Sequence, residues 1–318
     1  MIKVGIIGCE GLRATELVRI LLNHPDVELL WVDDAVHGGI PLDRLVPGIV
    51  GETSLTVSTE GDLANVDLVY LCAPREQVET WLKRNQLPQE LKVIDLSGSH
   101  NLDEGGDSPW AYGMSEMQRR VLVHDAQWVT IPGAAASASL LTLMPMARNS
   151  LLDSPLSLHV SLGSAVLRDN GMADGVLPQN KWIREQEQEV QRALIHCQES
   201  FSHPVTMTVD PNSSQRLLTV QAHFKTPMVQ EMLNSVYRQY YEDHSFVFLL
   251  DRPVFPADVE NTNKCLITLV KDESCGEATV SAVMDGLLKT AAGNAVHVMN
   301  LLFGLHERVG LSLKASGC

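Results

Sequence analysis

Residues 129–145, VTIPGAAASASLLTLMP, pass from a Pro132-Gly133 turn into an Ala/Ser-rich, helix-prone stretch. A glycine turn at a helix N-terminus leaves several backbone N–H groups without intrahelical partners, and such groups stabilise a thiolate or a developing oxyanion. The stretch therefore has the form of a seat for a nucleophile, yet the residue after the turn is Ala134, whose methyl group attacks nothing. Ser137 and Ser139 lie near, but a hydroxyl needs a base and the sequence places no histidine to serve one. Cys72, at the end of an apolar run, is the one thiol that qualifies as a substitute, and a free cysteine is more often a small buried hydrophobe.

A second group of residues suits a different task. Gly5-x-x-Gly8-x-x-Gly11 follows an almost wholly apolar run at 3–7 and precedes Leu17, Ile20 and Leu21 at helical spacing. Strand, glycine turn and helix in that order let a backbone approach a pyrophosphate closely while the helix N-terminus supplies positive potential. A second strand at 27–32 ends in Asp33-Asp34, about 20 residues on, where a carboxylate can accept from a ribose 2′-OH. Glu10 puts a carboxylate inside the turn and Arg13 can offset it. The cofactor residues read this way are Gly8, Glu10, Gly11, Leu12, Arg13, Asp33 and Asp34, and the strand ends add Pro74 and Ser97. Asp33 and Asp34 repel a 2′-phosphate, which favours NAD over NADP.

The elements that must position these groups follow from pattern. Further buried strands are expected at 67–72, 92–97 and 128–131, with a helix at 76–84 and a polar surface loop at 101–109. Beyond residue 155 the texture changes to alternating strands at 156–162, 205–209, 216–224 and 245–250, with helices at 181–198, 227–241 and 282–303. Such a mixture predicts an antiparallel sheet with helices on one face. A chain of 318 residues, 45% hydrophobic and 20% charged, suits two globular domains. Its net charge of -15 argues against nucleic acid and anionic membranes as partners. Six scattered cysteines without metal-ligand spacing predict reduced thiols, no metal and a cytoplasmic setting. No apolar run is long enough to span a bilayer.

Taken in order, Gly8-x-x-Gly11 with Glu16-Leu17, residues 93–97, Trp110-x-Tyr112-Gly113, Pro132-Gly133, Ser164 with Arg168, Thr262-Asn263-x-Cys265 and the block 285–304 resemble the N-acetyl-γ-glutamyl-phosphate reductase family of the semialdehyde dehydrogenase superfamily. The resemblance implies an α/β fold: a Rossmann-type doubly wound sheet, residues 1–150 and 283–318, plus a glyceraldehyde-phosphate-dehydrogenase-like α+β domain for substrate and dimerisation, residues 151–282. It implies NAD or NADP as cofactor, an amino-acid-derived small-molecule substrate and a homo-oligomer. Asn263 joins the cofactor residues, and Gly133, Ala134, Ser164, Arg168 and Trp182 the substrate residues.

In that family a cysteine directly after the Pro-Gly turn forms a thioester, which hydride from NADPH reduces, and a histidine in a His-Arg-His-x-Pro-Glu motif acts as acid and base. The cysteine position is Ala134 here. The histidine motif corresponds to Asn180-Lys181-Trp182-Ile183-Arg184-Glu185, with Trp182 in place of the histidine nearest the proline. The expectation is a diverged oxidoreductase acting without a thioester on a glutamate- or ornithine-like carbonyl or imine. A catalytically inactive, ligand- or partner-binding paralogue and a conventional reductase of arginine synthesis are the alternatives.

Overall fold

The computed structural model describes residues 1–101, 108–172 and 180–315, so the loop expected at 101–109 falls mostly outside the described residues. Two compact units are formed, Met1–Pro132 with Ala291–Ser312, and Gly133–Thr290 with Leu313–Cys318.

In the first unit the order is β1 (Ile2–Ile7), α1 (Leu12–Leu22), β2 (Val27–Asp33), α2 (Leu42–Leu45), β3 (Leu68–Leu71), α3 (Arg75–Arg84), β4 (Lys92–Asp95), β5 (Trp110–Tyr112), α4 (Ser115–His124) and β6 (Trp128–Thr130). The second unit runs α5 (Ala134–Arg148), β7 (Leu156–Leu162), α6 (Ser164–Asp169), α7 (Asn180–Cys197), β8 (Val205–Pro211), β9 (Leu217–Lys225), α8 (Gln230–Tyr241), β10 (Val247–Leu249), β11 (Cys265–Asp272) and β12 (Glu277–Asp285). The chain then returns to the first unit as α9 (Gly293–Leu302).

The first unit is a parallel sheet in the order β2-β1-β3-β4-β6-β5. Its central strands β1, over Val4–Ile7, and β3 are buried on both faces, as the unbroken apolar runs required, while edge strand β5 is half-buried. Helix α9 is tied to this unit by polar bonds: Asn294 Nδ2 donates to the Gly113 carbonyl, and buried His297 lies 2.7 Å from Glu307, which also pairs with Arg119.

The second unit is a sheet in the order β10-β11-β12-β9-β7-β8. Antiparallel pairs dominate its centre, as expected, but β7 with β8 and β10 with β11 run parallel, so the sheet is mixed. Leu218, Val220, Ala222 and Phe224 alternate with half-buried or exposed Thr219, Gln221, His223 and Lys225. One face therefore meets helices α5, α7 and α8. The other presents Ser157, His159, Ser161, Thr219, Gln221 and Ser281.

The helix expected at 282–303 is not continuous. Residues through Asp285 belong to β12, where Ala278, Val280, Ala282 and Met284 are buried in strand alternation. Small and aliphatic residues satisfy both periods over so short a window, and Asp285-Gly286 breaks the chain before Leu288–Ala292 and α9. Strands β5, β11 and β12 and helices α2, α4 and α6 had no expected counterpart.

Helix α5 contains Pro145, which lacks the N–H that would bond the Leu141 carbonyl. The helix persists because Tyr241 donates its hydroxyl to that carbonyl and Tyr237 donates to the next, Thr142. Tyr241→Phe is expected to cost about 1–3 kcal/mol in urea unfolding, the penalty of an unpaired buried carbonyl. Equal stability of the variant would show that another donor reaches Leu141.

Candidate functional site

The register of the first unit sets its strand ends in one row. Ile7 lies opposite both Asp33 and Leu71, Leu71 opposite Asp95, and Asp95 opposite Thr130. The turns that follow open on one edge, the position at which open α/β sheets bind ligands. Gly8 takes φ 87° and a Cβ there would lie 2.6 Å from the Ala73 backbone, so only glycine lets the turn approach β3 this closely. Gly11 takes φ 94° as the residue before α1, and that helix starts at Leu12 with no side-chain cap and no acidic residue in its first turn. Its positive end therefore meets a bare-backbone turn, an arrangement suited to a phosphate.

The side chains around the turn are engaged in specific ways. Exposed Glu10 faces His37, with Oε1 3.6 Å from Nε2. Arg13 donates to the Leu96 carbonyl. Asp34 Oδ2 accepts the N–H of Cys9 at 3.2 Å, while Oδ1 accepts the N–H groups of Val36 at 2.9 Å and His37 at 3.1 Å and lies 3.0 Å from His37 Nδ1. Burial opposes the charge of Asp34, but these hydrogen bonds outweigh it and hold its pKa below the usual carboxylate value. Asp33 is shifted the other way, upward by burial, although Oδ2 accepts from Gly61 N–H at 3.1 Å. The Cys9 thiol is pushed up to about 12 by burial and by the facing Asp34.

Pro74 precedes α3, and Arg75 donates to the Gly98 carbonyl at 2.7 Å. Asp95, fully buried, accepts the Ser97 N–H at 2.8 Å and lies 2.8 Å from His100 Nδ1, whose ring stacks on Trp110. Ser97 Oγ is 2.7 Å from Ser99 Oγ. Cys72 is buried directly after β3.

In the second unit the start of α5 is occupied by side chains of α7. Gly133 N–H donates to Glu189 Oε1 at 2.9 Å and Ala136 N–H to Gln186 Oε1 at 3.0 Å. A Cβ on Gly133 would come within 2.5 Å of the Gln186 carboxamide, so the glycine is what lets that side chain lie against the helix end. Half-buried Trp182 stands four residues before Gln186 and seven before Glu189, on the same face of α7. Ala134 is buried.

Ser164 opens α6 with its N–H on the Ser214 carbonyl, and Arg168 lies exposed in its last turn. Asn263 is 1% exposed, and neither carboxamide atom meets a hydrogen-bond partner among the described residues. A buried amide left unpaired costs about 1–3 kcal/mol per group, so Asn263 is set to receive a polar ligand or water.

A family described as "Semialdehyde dehydrogenase, NAD binding domain" matches residues 3–124, and "Semialdehyde dehydrogenase, dimerisation domain" matches residues 179–286. The chain belongs to the semialdehyde dehydrogenase family. An N-acetyl-γ-glutamyl-phosphate reductase of Parabacteroides distasonis is 34% identical, the match covering 99% of each chain. Among solved structures, aspartate semialdehyde dehydrogenase II of Vibrio cholerae, complexed with ASA, superposes with a TM-score of 0.74 at 15% identity. That match covers 96% of this chain and 98% of the other. Aspartate semialdehyde dehydrogenase of Candida albicans with NADP gives 0.70 at 12% identity, covering 95% of this chain and 98% of that one. These two establish the fold. The NAD-binding domain makes the cofactor NAD or NADP.

Four residues of the two sites escaped sequence reasoning. Gln186 and Glu189 carried one signal, their spacing from Trp182 on a helical face. Cys9 and His37 carried none, because they come from separate turns that the β1–β2 register brings together around Asp34. No helix among the described residues is long and apolar enough to cross a membrane.

Proposed function

We propose that the chain is a diverged oxidoreductase, like N-acetyl-γ-glutamyl-phosphate reductase, that reduces a glutamate- or ornithine-like carbonyl or imine without a cysteine thioester. In this reading the first unit is the cofactor domain and the second carries substrate recognition and self-association. The observation that carries the reading is the start of α5. The position that the resemblance gives to the nucleophile is Ala134, and the N–H groups of Gly133 and Ala136 are already engaged by Glu189 and Gln186. An acyl-enzyme needs a nucleophile and donors held ready for its oxyanion.

The residues of the first unit fit a dinucleotide. Gly8, Gly11 and the uncapped start of α1 would hold the pyrophosphate, with Asp33, Pro74 and Ser97 along the same edge. When bound, a nicotinamide supplies hydride. In the second unit, Asn263 offers the cofactor a donor and an acceptor that meet no partner among the described residues, and Gly133, Ala134, Ser164, Arg168 and Trp182 form the substrate set. Orientation and polarisation then replace covalent catalysis. For self-association, the sheet face without helices is the available surface.

A second reading, a non-catalytic paralogue, is favoured by Glu10 in the phosphate turn. Titration with NADH and NADPH, followed by fluorescence, separates the two. Saturable binding tighter than about 1 mM is expected. Glu10→Gln is expected to tighten it by about 2- to 5-fold, the modest effect of an exposed charge in salt. Failure of either dinucleotide to saturate would overturn the oxidoreductase reading.

A further inference from the structure

We propose that Cys9, Asp34 and His37 form a binding site for a divalent, thiophilic cation of the zinc type. Their sulfur, carboxylate oxygen and imidazole nitrogen lie within 4.8 Å of one another, and this is the group of three such ligands that the described residues contain. Thiolate, imidazole and carboxylate are the donors zinc takes, with ligand atoms about 3.3–3.8 Å apart in a tetrahedron of bonds of about 2.0–2.3 Å. Closing the cluster onto an ion therefore needs side-chain movement of about 1 Å.

Two of the ligands are already set. Asp34 is fixed by the N–H groups of Cys9, Val36 and His37, and its Oδ2 takes the single N–H of Cys9, which leaves a lone pair for a cation. His37 turns Nδ1 toward Asp34 and Nε2 toward Glu10, 3.6 Å away. With Nδ1 on the ion, Glu10 becomes the outer carboxylate that orients a ligating histidine. An Asx-type turn accounts for Asp34 and His37 by themselves, while the buried Cys9 thiol faces the same carboxylate and shares a weak hydrogen bond with it, whose proton an ion would replace. A cation uses all three and offsets the charges of Asp34 and Glu10 in the same turn. On binding, the thiol proton leaves to solvent and the fourth position is taken by water.

The test uses the full-length chain without dinucleotide, so its outcome is independent of the cofactor reading. Zn²⁺ is titrated in competition with a chromogenic chelator, and Co²⁺ is followed by absorbance. One equivalent bound at about 1 µM or tighter is expected, with a thiolate-to-cobalt charge-transfer band. His37→Ala should weaken binding at least about 10-fold, and Cys9→Ser should remove the band. Cys275→Ser, which changes an exposed thiol elsewhere, should alter neither. Should Cys9→Ser fail to fold, His37→Ala still decides the question, because its ring is partly exposed. Equal Zn²⁺ affinity of the parent and His37→Ala, or a cobalt complex without the band, would overturn the site.

Discussion

An Ala134→Cys, Trp182→His double variant is expected to leave acyl-phosphate reduction at the background of the parent chain. A thiol at a helix N-terminus becomes a reactive thiolate when nearby N–H groups are left to stabilise it, which brings its pKa down to about 3.5–7.5. Here Gly133 N–H goes to the Glu189 carboxylate and Ala136 N–H to the Gln186 carboxamide. The new thiol would sit beside an anion that already uses the helix end, and like charge disfavours the thiolate. Loss of one oxyanion donor costs about 10²- to 10³-fold in rate by itself. Adding Gln186→Ala and Glu189→Ala to the double variant should therefore raise alkylation of the introduced thiol by iodoacetamide at about pH 7 by at least about 10-fold, equivalent to one unit of pKa. Mass spectrometry of the alkylated peptide against time reads this directly. Acyl-phosphate reduction by the double variant alone would show that the helix end is open in solution and would sink the argument.

That argument also marks where the sequence stops being legible. The turn at Gly133 and the helix after it are local, encoded in adjacent residues, and both stand where expected. What fills the helix end comes from a helix about fifty residues later, and a carboxamide that caps a remote backbone leaves no periodic trace. The same contrast holds in the first unit. The β1–turn–α1–β2 run is readable because glycines, apolar runs and a terminal acid fall at fixed offsets. The direction of each acid is not: Asp34 is taken up by Cys9, Val36 and His37, and Asp33 by Gly61. The misplaced helix at 282–303 has a third cause, since alternating small residues fit strand and helix alike until a partner strand decides. Two strands decide it here: β9, expected from the pattern, pairs with Glu277–Asp285, and β11, which carries no such expectation, pairs with Glu277–Met284 on the other side.

Arg216→Met is expected to destabilise the second unit by about 3–5 kcal/mol, the cost of leaving a buried charge without its partner. Asp285 is fully buried and receives Arg216 Nε at 2.7 Å, together with the N–H groups of Asn261, Leu287 and Leu288. It thereby joins the end of β12 to the turns before β9 and β11. Burial raises its pKa above the ordinary value of 3.8, and the charge and hydrogen bond of Arg216 offset part of that rise. Because the folded value lies above the unfolded one, ionising Asp285 costs stability at pH above both, and the cost vanishes below the unfolded value. Without Arg216 the folded pKa rises further, so the deficit of the variant should be largest near neutrality and shrink as pH falls through that raised value toward 3.8. Urea unfolding at about pH 7 and about pH 5 measures it. Asp285→Asn in the Arg216→Met background should recover more than half of the loss at about pH 7, since it removes the unpaired charge while keeping an acceptor. A deficit independent of pH, and unrelieved by Asp285→Asn, would mean that Arg216 acts through packing of its stem and not through its pairing with Asp285.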